Sequence, residues 1–159
     1  MEYFTLLGER NSGTHFLKYA LLFNFVIKES QIVKKHFFNE TSNFTENMDT
    51  TLYICIVRDP ITWVDSFFKS LHHVPYENRN INNLLNNEFY SVINNIEIME
   101  DRHIYTKERY KNIFELRKTK IDFFLTSIPN KVKHFYILKY EDLRDDYENV
   151  LGKLATRFN

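Results

Sequence analysis

Tyr3-Phe4-Thr5-Leu6-Leu7-Gly8-Glu9-Arg10-Asn11-Ser12-Gly13-Thr14-His15 begins as an apolar run, passes through a glycine-bounded loop and leads into a helical pattern. A strand that feeds a helix this directly leaves the first helical N–H groups unpaired, and an anion can accept from them. The helix dipole adds about 0.3–1 kcal/mol per charge at an exposed site. Gly8 and Gly13 are two of only three glycines in the chain, and both bound this loop. The alternative reading is a tight strand-to-helix turn that holds no ligand.

The spacing Gly-x-x-x-x-Gly is that of a Walker A loop, but Thr14 and His15 stand where that motif has lysine and Ser/Thr. An ordinary ATPase or GTPase is therefore disfavoured.

Further along, Leu52-Tyr53-Ile54-Cys55-Ile56-Val57 is a continuous apolar run, as a strand covered on both faces requires. It ends at Arg58-Asp59-Pro60, where Asp59 can cap a helix and Pro60 can open it. Arg58 thus falls at a strand's carboxyl end, the edge at which open α/β sheets bind ligands. Ser66 lies on the following helix, so an arginine and a hydroxyl can grip one phosphate together.

These residues resemble the motifs of sulfotransferases that use 3′-phosphoadenosine 5′-phosphosulfate (PAPS). Gly8 to His15 is similar to that family's 5′-phosphosulfate loop, and Val57-Arg58-Asp59-Pro60 through Ser66 to its 3′-phosphate motif. Lys139-Tyr140-Glu141-Asp142-Leu143 is similar to a segment that follows a late strand in many members. The resemblance implies a P-loop-NTPase-like three-layer α/β fold, with a central parallel sheet flanked by helices. It implies that Arg10, Asn11, Ser12, Gly13, Thr14 and His15 meet the 5′-phosphosulfate, with His15 in second rank, while Arg58 and Ser66 hold the 3′-phosphate. It also implies chemistry without a metal, and no His/Cys/Asp cluster shows ligand spacing.

Two departures from the family pattern stand out. Asn11 occupies the place where most members carry Lys or Arg, so Arg10 is the nearest cation for the leaving group. The basic C-terminal loop that closes over the nucleotide is not recognisable, and either Lys34, Lys35 or Arg117 substitutes for it or the nucleotide is held more loosely.

The base expected to take the acceptor's proton is His36, in Lys34-Lys35-His36-Phe37-Phe38. This segment resembles one in carbohydrate sulfotransferases where a Glu or His beside an aromatic pair serves as base. An imidazole titrates near working pH, and Lys35 beside it can stabilise sulfate or an acidic acceptor. Read from the residues alone, His36 is better explained as a partly buried polar residue beside core aromatics. His73 and Glu9 are the next candidates, and His72 and His73 are placed to line an acceptor cleft. Glu141 and Asp142 are read as bracing a loop and capping the last helix. Trp63 is read as core.

With 159 residues, 21 Lys and Arg against 21 Asp and Glu, and 43% apolar residues, the chain reads as one globular domain, residues 1–159. Zero net charge argues against a general nucleic-acid binder. Lone Cys55 reads as an apolar filler. No segment reads as a leader or a membrane span, so a cytoplasmic location away from membranes is expected.

Periodicity places a strand at residues 3–7, a helix at 14–24, a short strand near 25–28 and a loop at 40–50. It continues with a short helix within 78–87, a helix from Tyr110 to Leu125, a strand at 132–138 and a closing helix from Tyr147 to Phe158. Strands alternating with helices imply a parallel sheet.

The function expected is transfer of a sulfuryl group from PAPS to a hydroxyl or amine of a small molecule or glycan. A divergent nucleoside or nucleotide kinase is the competing enzyme, and a catalytically silent nucleotide-binding protein the non-enzymatic alternative.

Overall fold

A computed structural model describes residues 1–30, 33–38, 42, 44 and 49–158. Its centre is a four-stranded parallel sheet in the order β2-β1-β3-β6, built from β1 (Tyr3–Gly8), β2 (Lys28–Glu29), β3 (Thr51–Val57) and β6 (Phe135–Lys139). The helices are α1 (Thr14–Asn24), α2 (Pro60–Lys69), α3 (Ile81–Asn86), α4 (Ile113–Thr126), α5 (Tyr140–Asp145) and α6 (Tyr147–Phe158). A hairpin of β4 (Val92–Ile93) and β5 (Ile96–Glu97) lies apart from the main sheet.

The pleat sends alternate side chains to opposite faces, and both faces are covered. Phe4, Leu6, Leu52, Ile54 and Ile56 pack with Leu17 and Leu21 of α1 and Val150 and Leu154 of α6. Leu7, Tyr53 and Cys55 face the other way, onto Phe123 and Phe124 of α4 and onto Phe38 and Phe44. The uninterrupted apolar run of β3 is thereby accounted for, at about 1.5–3 kcal/mol for each large side chain buried. A third cluster joins Trp63 and Phe67 of α2 to Leu84, Phe89, Tyr110, Ile113 and Leu116.

Register brings the strand ends together: Gly8 pairs with Ile56, and Val57 with Lys139. The connection leaving β1 runs to β2 on one side, while that leaving β3 runs to β6 on the other. The crevice between their carboxyl ends is where such sheets take ligands.

Boundaries differ from expectation where tertiary contacts override local pattern. Tyr110 bridges to Phe89 instead of starting a helix, and α4 begins at Ile113 with the Asn112 side chain accepting from Phe114 and Glu115 N–H. The short strand falls at Lys28–Glu29 rather than 25–28. The Lys139 to Leu143 segment forms its own helix, α5, so Asp142 lies in the first turn of α5 and does not cap the closing helix. The loop expected at 40–50 lies mostly outside the described residues.

Candidate active site

The loop from Glu9 to Gly13 is held by its own bonds. The Ser12 hydroxyl donates to the Glu9 carbonyl at 2.7 Å, and the Ser12 N–H to the same oxygen at 3.2 Å. Asn11 takes a left-handed φ of 61°, which directs its side-chain amide to the Ser70 carbonyl at 3.2 Å. Gly13 has φ 99°, and a Cβ there would lie 2.3 Å from Cδ2 of Tyr140, so no other residue fits. Side chains cap α2, α3 and α4, through Asp59, Asn80 and Asn112. No side chain caps α1, and its first turn carries no acidic residue. Its positive end and unpaired N–H groups therefore face the crevice.

Above this helix start lies a cavity of about 550 Å³ lined by Arg10, Asn11, Gly13, Thr14, His15, Phe16, Lys35, His36, Arg58, Ser66, His72, His73 and Tyr140. Three of these residues are cationic, four are histidines, and none of the lining residues is acidic. In a chain with equal numbers of acids and bases, that segregation makes the cavity electropositive.

Arg58 reaches back from β3 to donate to the Asn11 carbonyl at 3.1 Å and to Thr62 Oγ1 at 3.3 Å, and its guanidinium lies 4.4 Å from the centre of the Tyr140 ring. The two expected anion grips are thus neighbours, with Arg58 joined to the loop itself. Glu141 accepts from the Asp59 N–H at 3.1 Å and from Thr62 at 3.3 Å, which braces the turn into α2 as expected. The Asp59 carboxylate accepts from the N–H groups of Ile61 and Thr62, both at 3.0 Å, so it serves α2 as a cap.

Arg10 is placed differently from the sequence expectation. Its guanidinium is buried, 3.5 Å from Asp101, donates to the His72 carbonyl at 3.2 Å, and lies over the rings of Phe67 and Phe89. It lines the cavity with its charge paired to Asp101, although its Nη2 has no hydrogen-bond partner among the described residues. The Ser12 hydroxyl is committed to the loop and does not line the cavity. Arg117, expected over the nucleotide, is buried beneath it instead, bonded to the Glu9 carboxylate at 2.9 Å and to the Arg58 carbonyl, with its guanidinium 4.6 Å from the Trp63 ring centre. Trp63 is core, as read, and its indole N–H donates to the Arg10 carbonyl at 2.8 Å.

The cation that does stand at the start of α1 is Lys35, which donates to His15 Nε2 at 3.0 Å. Its charge holds the His15 imidazole below its ordinary range. His36 is fixed by a 2.7 Å bond between Nδ1 and the Gly8 carbonyl. A carbonyl only accepts, so Nδ1 carries the proton and Nε2 is left with a lone pair. Desolvation, reinforced by Lys35, Lys120 and Arg10, pushes His36 down to about 3, so the imidazole is neutral at physiological pH. An anion in the cavity offsets those three charges and raises its basicity.

Below the loop lies a buried ionic cluster: Glu9 with Arg117, and Asp101 with Arg10, Lys120 and Ser91. One oxygen of Glu9 has no hydrogen-bond partner, and burial outweighs the field of Arg117, lifting its carboxyl to about 7. Among the described residues, no group of three or more His, Cys, Asp or Glu could hold a metal, and no helix is long and apolar enough to cross a membrane.

One residue of the site escaped the sequence reading, and a second was read without its contact to α1. Tyr140, which packs on both Gly13 and Arg58, was readable only as part of a structural segment. Its signal is its place directly after a parallel strand. Lys35 was read as a neighbour of the base and as one of three cations to stand in for the closing loop, but not as a partner of His15 on α1, next to the Gly8 N–H bond to the Lys35 carbonyl at 3.0 Å.

This α/β arrangement, with its crevice at the ends of β1 and β3, is a sulfotransferase-like fold. A solved structure it is similar to is mouse sulfotransferase SULT7A1 complexed with PAP, at a TM-score of 0.53 and 16% identity, with 99% of this chain covered. The chain spans 59% of the length of that mouse protein. No family model matches the sequence, and no curated protein does.

Proposed function

We propose that this chain is a PAPS-dependent sulfotransferase acting on a hydroxyl or amine acceptor. The observation that carries the reading is the acid-free cavity at the uncapped start of α1, with Arg58 and Lys35 in its wall. A nucleotide bearing both a 3′-phosphate and a 5′-phosphosulfate needs such a donor set: helix N–H groups for one end, and an arginine with a hydroxyl for the other. The loop from Asn11 to His15 would hold the 5′ end, and Arg58 with Ser66 the 3′ end. PAPS supplies the activated sulfuryl group.

The chain's own residues do the rest. Lys35 and the α1 terminus place fixed positive charge where negative charge grows on the leaving side, which is the main catalytic device for this kind of transfer. Buried Arg10 contributes field rather than contact. His36, oriented by the Gly8 carbonyl, presents Nε2 to receive the acceptor's proton. The kinase reading needs a carboxylate for a magnesium ion in this cavity, whereas Asp59 caps α2 and does not line the cavity.

Thermal shift with 3′-phosphoadenosine 5′-phosphate against ATP with magnesium tests the reading. A ligand at a hundred times its dissociation constant adds about 2.7 kcal/mol of stability. Arg58→Ala and Ser66→Ala should each weaken the 3′-phosphoadenosine 5′-phosphate response, and His36→Ala should keep it while abolishing turnover. A preference for ATP overturns the proposal, and binding without turnover of any acceptor makes the chain a silent nucleotide-binding protein.

A further inference from the structure

Behind Lys35 and His36 lies a second cavity, of about 320 Å³, lined by Leu6, Lys18, Glu29, Ser30, Val33, Lys34, Lys35, His36 and Phe37. Lys35 and His36 belong to the walls of both cavities, so they stand between them. A group seated in the second cavity therefore touches the same imidazole that faces the first. The lining carries three lysines and one acid, and that acid, Glu29, sits 2.5 Å from Lys18. Lys34 is exposed and pairs with Glu100 at 3.6 Å, outside the lining, an exposed ion pair with which an anion in the recess can compete. Burial lowers Lys35 from its ordinary value, a cost that an anion beside it removes. Leu6, Val33 and Phe37 supply an apolar floor against which a sugar ring or a short alkyl chain can lie.

We propose that this second cavity is the acceptor site and that the acceptor it takes is anionic, its acidic group held by Lys18 and Lys34 while its hydroxyl meets His36. The proposal rests on the sulfotransferase reading for the direction of transfer, but the preference for an acidic ligand rests on the lysines alone. With a neutral acceptor, the lysine charges of the lining are met, among the described residues, only by Glu29 and, from outside the lining, by Glu100. An acidic one neutralises them at short range, in a recess where screening is weaker than on open surface.

The test uses two probes that share their ring hydroxyls: p-nitrophenyl β-D-glucuronide, which is anionic, and p-nitrophenyl β-D-glucoside, which is neutral. Each is titrated calorimetrically into the full chain, with and without saturating 3′-phosphoadenosine 5′-phosphate, at low and at high salt. The glucuronide is expected to bind at least about fivefold tighter at low salt, the scale of one or two partly exposed ion pairs, with the margin shrinking as salt rises. In Lys18→Gln/Lys34→Gln the margin disappears, while binding of 3′-phosphoadenosine 5′-phosphate and the melting temperature stay as in the parent.

Equal binding of the two probes, binding of neither, or a preference that survives the double substitution overturns the proposal. The nucleotide arm is read separately. If 3′-phosphoadenosine 5′-phosphate fails to bind while the glucuronide preference holds, the function proposed above falls and the anionic site stands.

Discussion

Replacing Gly13 by alanine probes the loop at its tightest point. The new Cβ would lie 2.3 Å from Cδ2 and 3.0 Å from Cε2 of Tyr140, and φ is 99°, where L side chains are strained. The ring cannot swing away cheaply: it opens α5 directly after β6, with the Arg58 guanidinium 4.4 Å from its centre and Phe16 edge-on at 6.2 Å. Backbone strain contributes about 1–2 kcal/mol and overpacking about 1–3 kcal/mol, so the loss is about 2–5 kcal/mol. Urea unfolding followed by the fluorescence of buried Trp63, the single tryptophan, measures it. The double variant Gly13→Ala/Tyr140→Ala separates the two terms. Its interaction energy should return the overpacking part, about 1–3 kcal/mol, and leave the backbone part. A loss under about 0.5 kcal/mol for Gly13→Ala, or no coupling to Tyr140, would refute the argument.

The pH dependence of stability should show two opposing ionisations. Glu9, raised to about 7, contributes stability that is complete below its unfolded value of 4.5 and lost as pH rises through 7. His36, lowered to about 3, contributes stability that is complete above its unfolded value of 6.5 and lost as pH falls toward 3. Between pH 4.5 and 6.5 the two nearly cancel. Glu9→Gln should therefore lose about 3 kcal/mol on acidification across that window, and His36→Asn should gain a similar amount, in urea titrations at stepped pH; parallel profiles would contradict both assignments. Arg117→Met removes the bond to Glu9 and the bond to the Arg58 carbonyl, and should cost about 3 kcal/mol or more. Because Glu9 can escape by protonating, the loss should be larger at pH 8 than at pH 6, and a pH-independent loss would show that the two do not interact.

What was legible in the sequence is what is decided locally. The β1 run with its loop, the β3 run with Arg58-Asp59-Pro60, and the helices that follow each depend on residues within a turn of one another, and they stand close to where the pattern placed them. The hairpin was missed although it carried a local signal: Asn94 and Asn95 take φ of 51° and 62°, the two left-handed positions of a tight hairpin turn. Its flanking runs are two residues each, too short for alternation to register.

The ionic cluster under the loop was out of reach for a different reason. Arg117 and Lys120 lie on α4, where charged residues ordinarily mark the solvent side, and the partner of Arg117 is Glu9, 108 positions away. The same cluster explains how Arg10 is held in the cavity wall: only the fold brings Asp101 to it. The cavity's cationic character was legible, but which cation fills it was not.

The crossover from β3 to β6, residues 58–134, holds close to half the chain, yet the cradle itself hangs on the strand ends and the first turns beyond them. Grafting or trimming within the hairpin and α3 would nonetheless reach it, since the Val92 N–H donates to the carbonyl of cavity-lining His73 at 2.9 Å and Leu84 packs with Trp63 and Phe67. Variation in that crossover is therefore coupled to the cavity wall through packing.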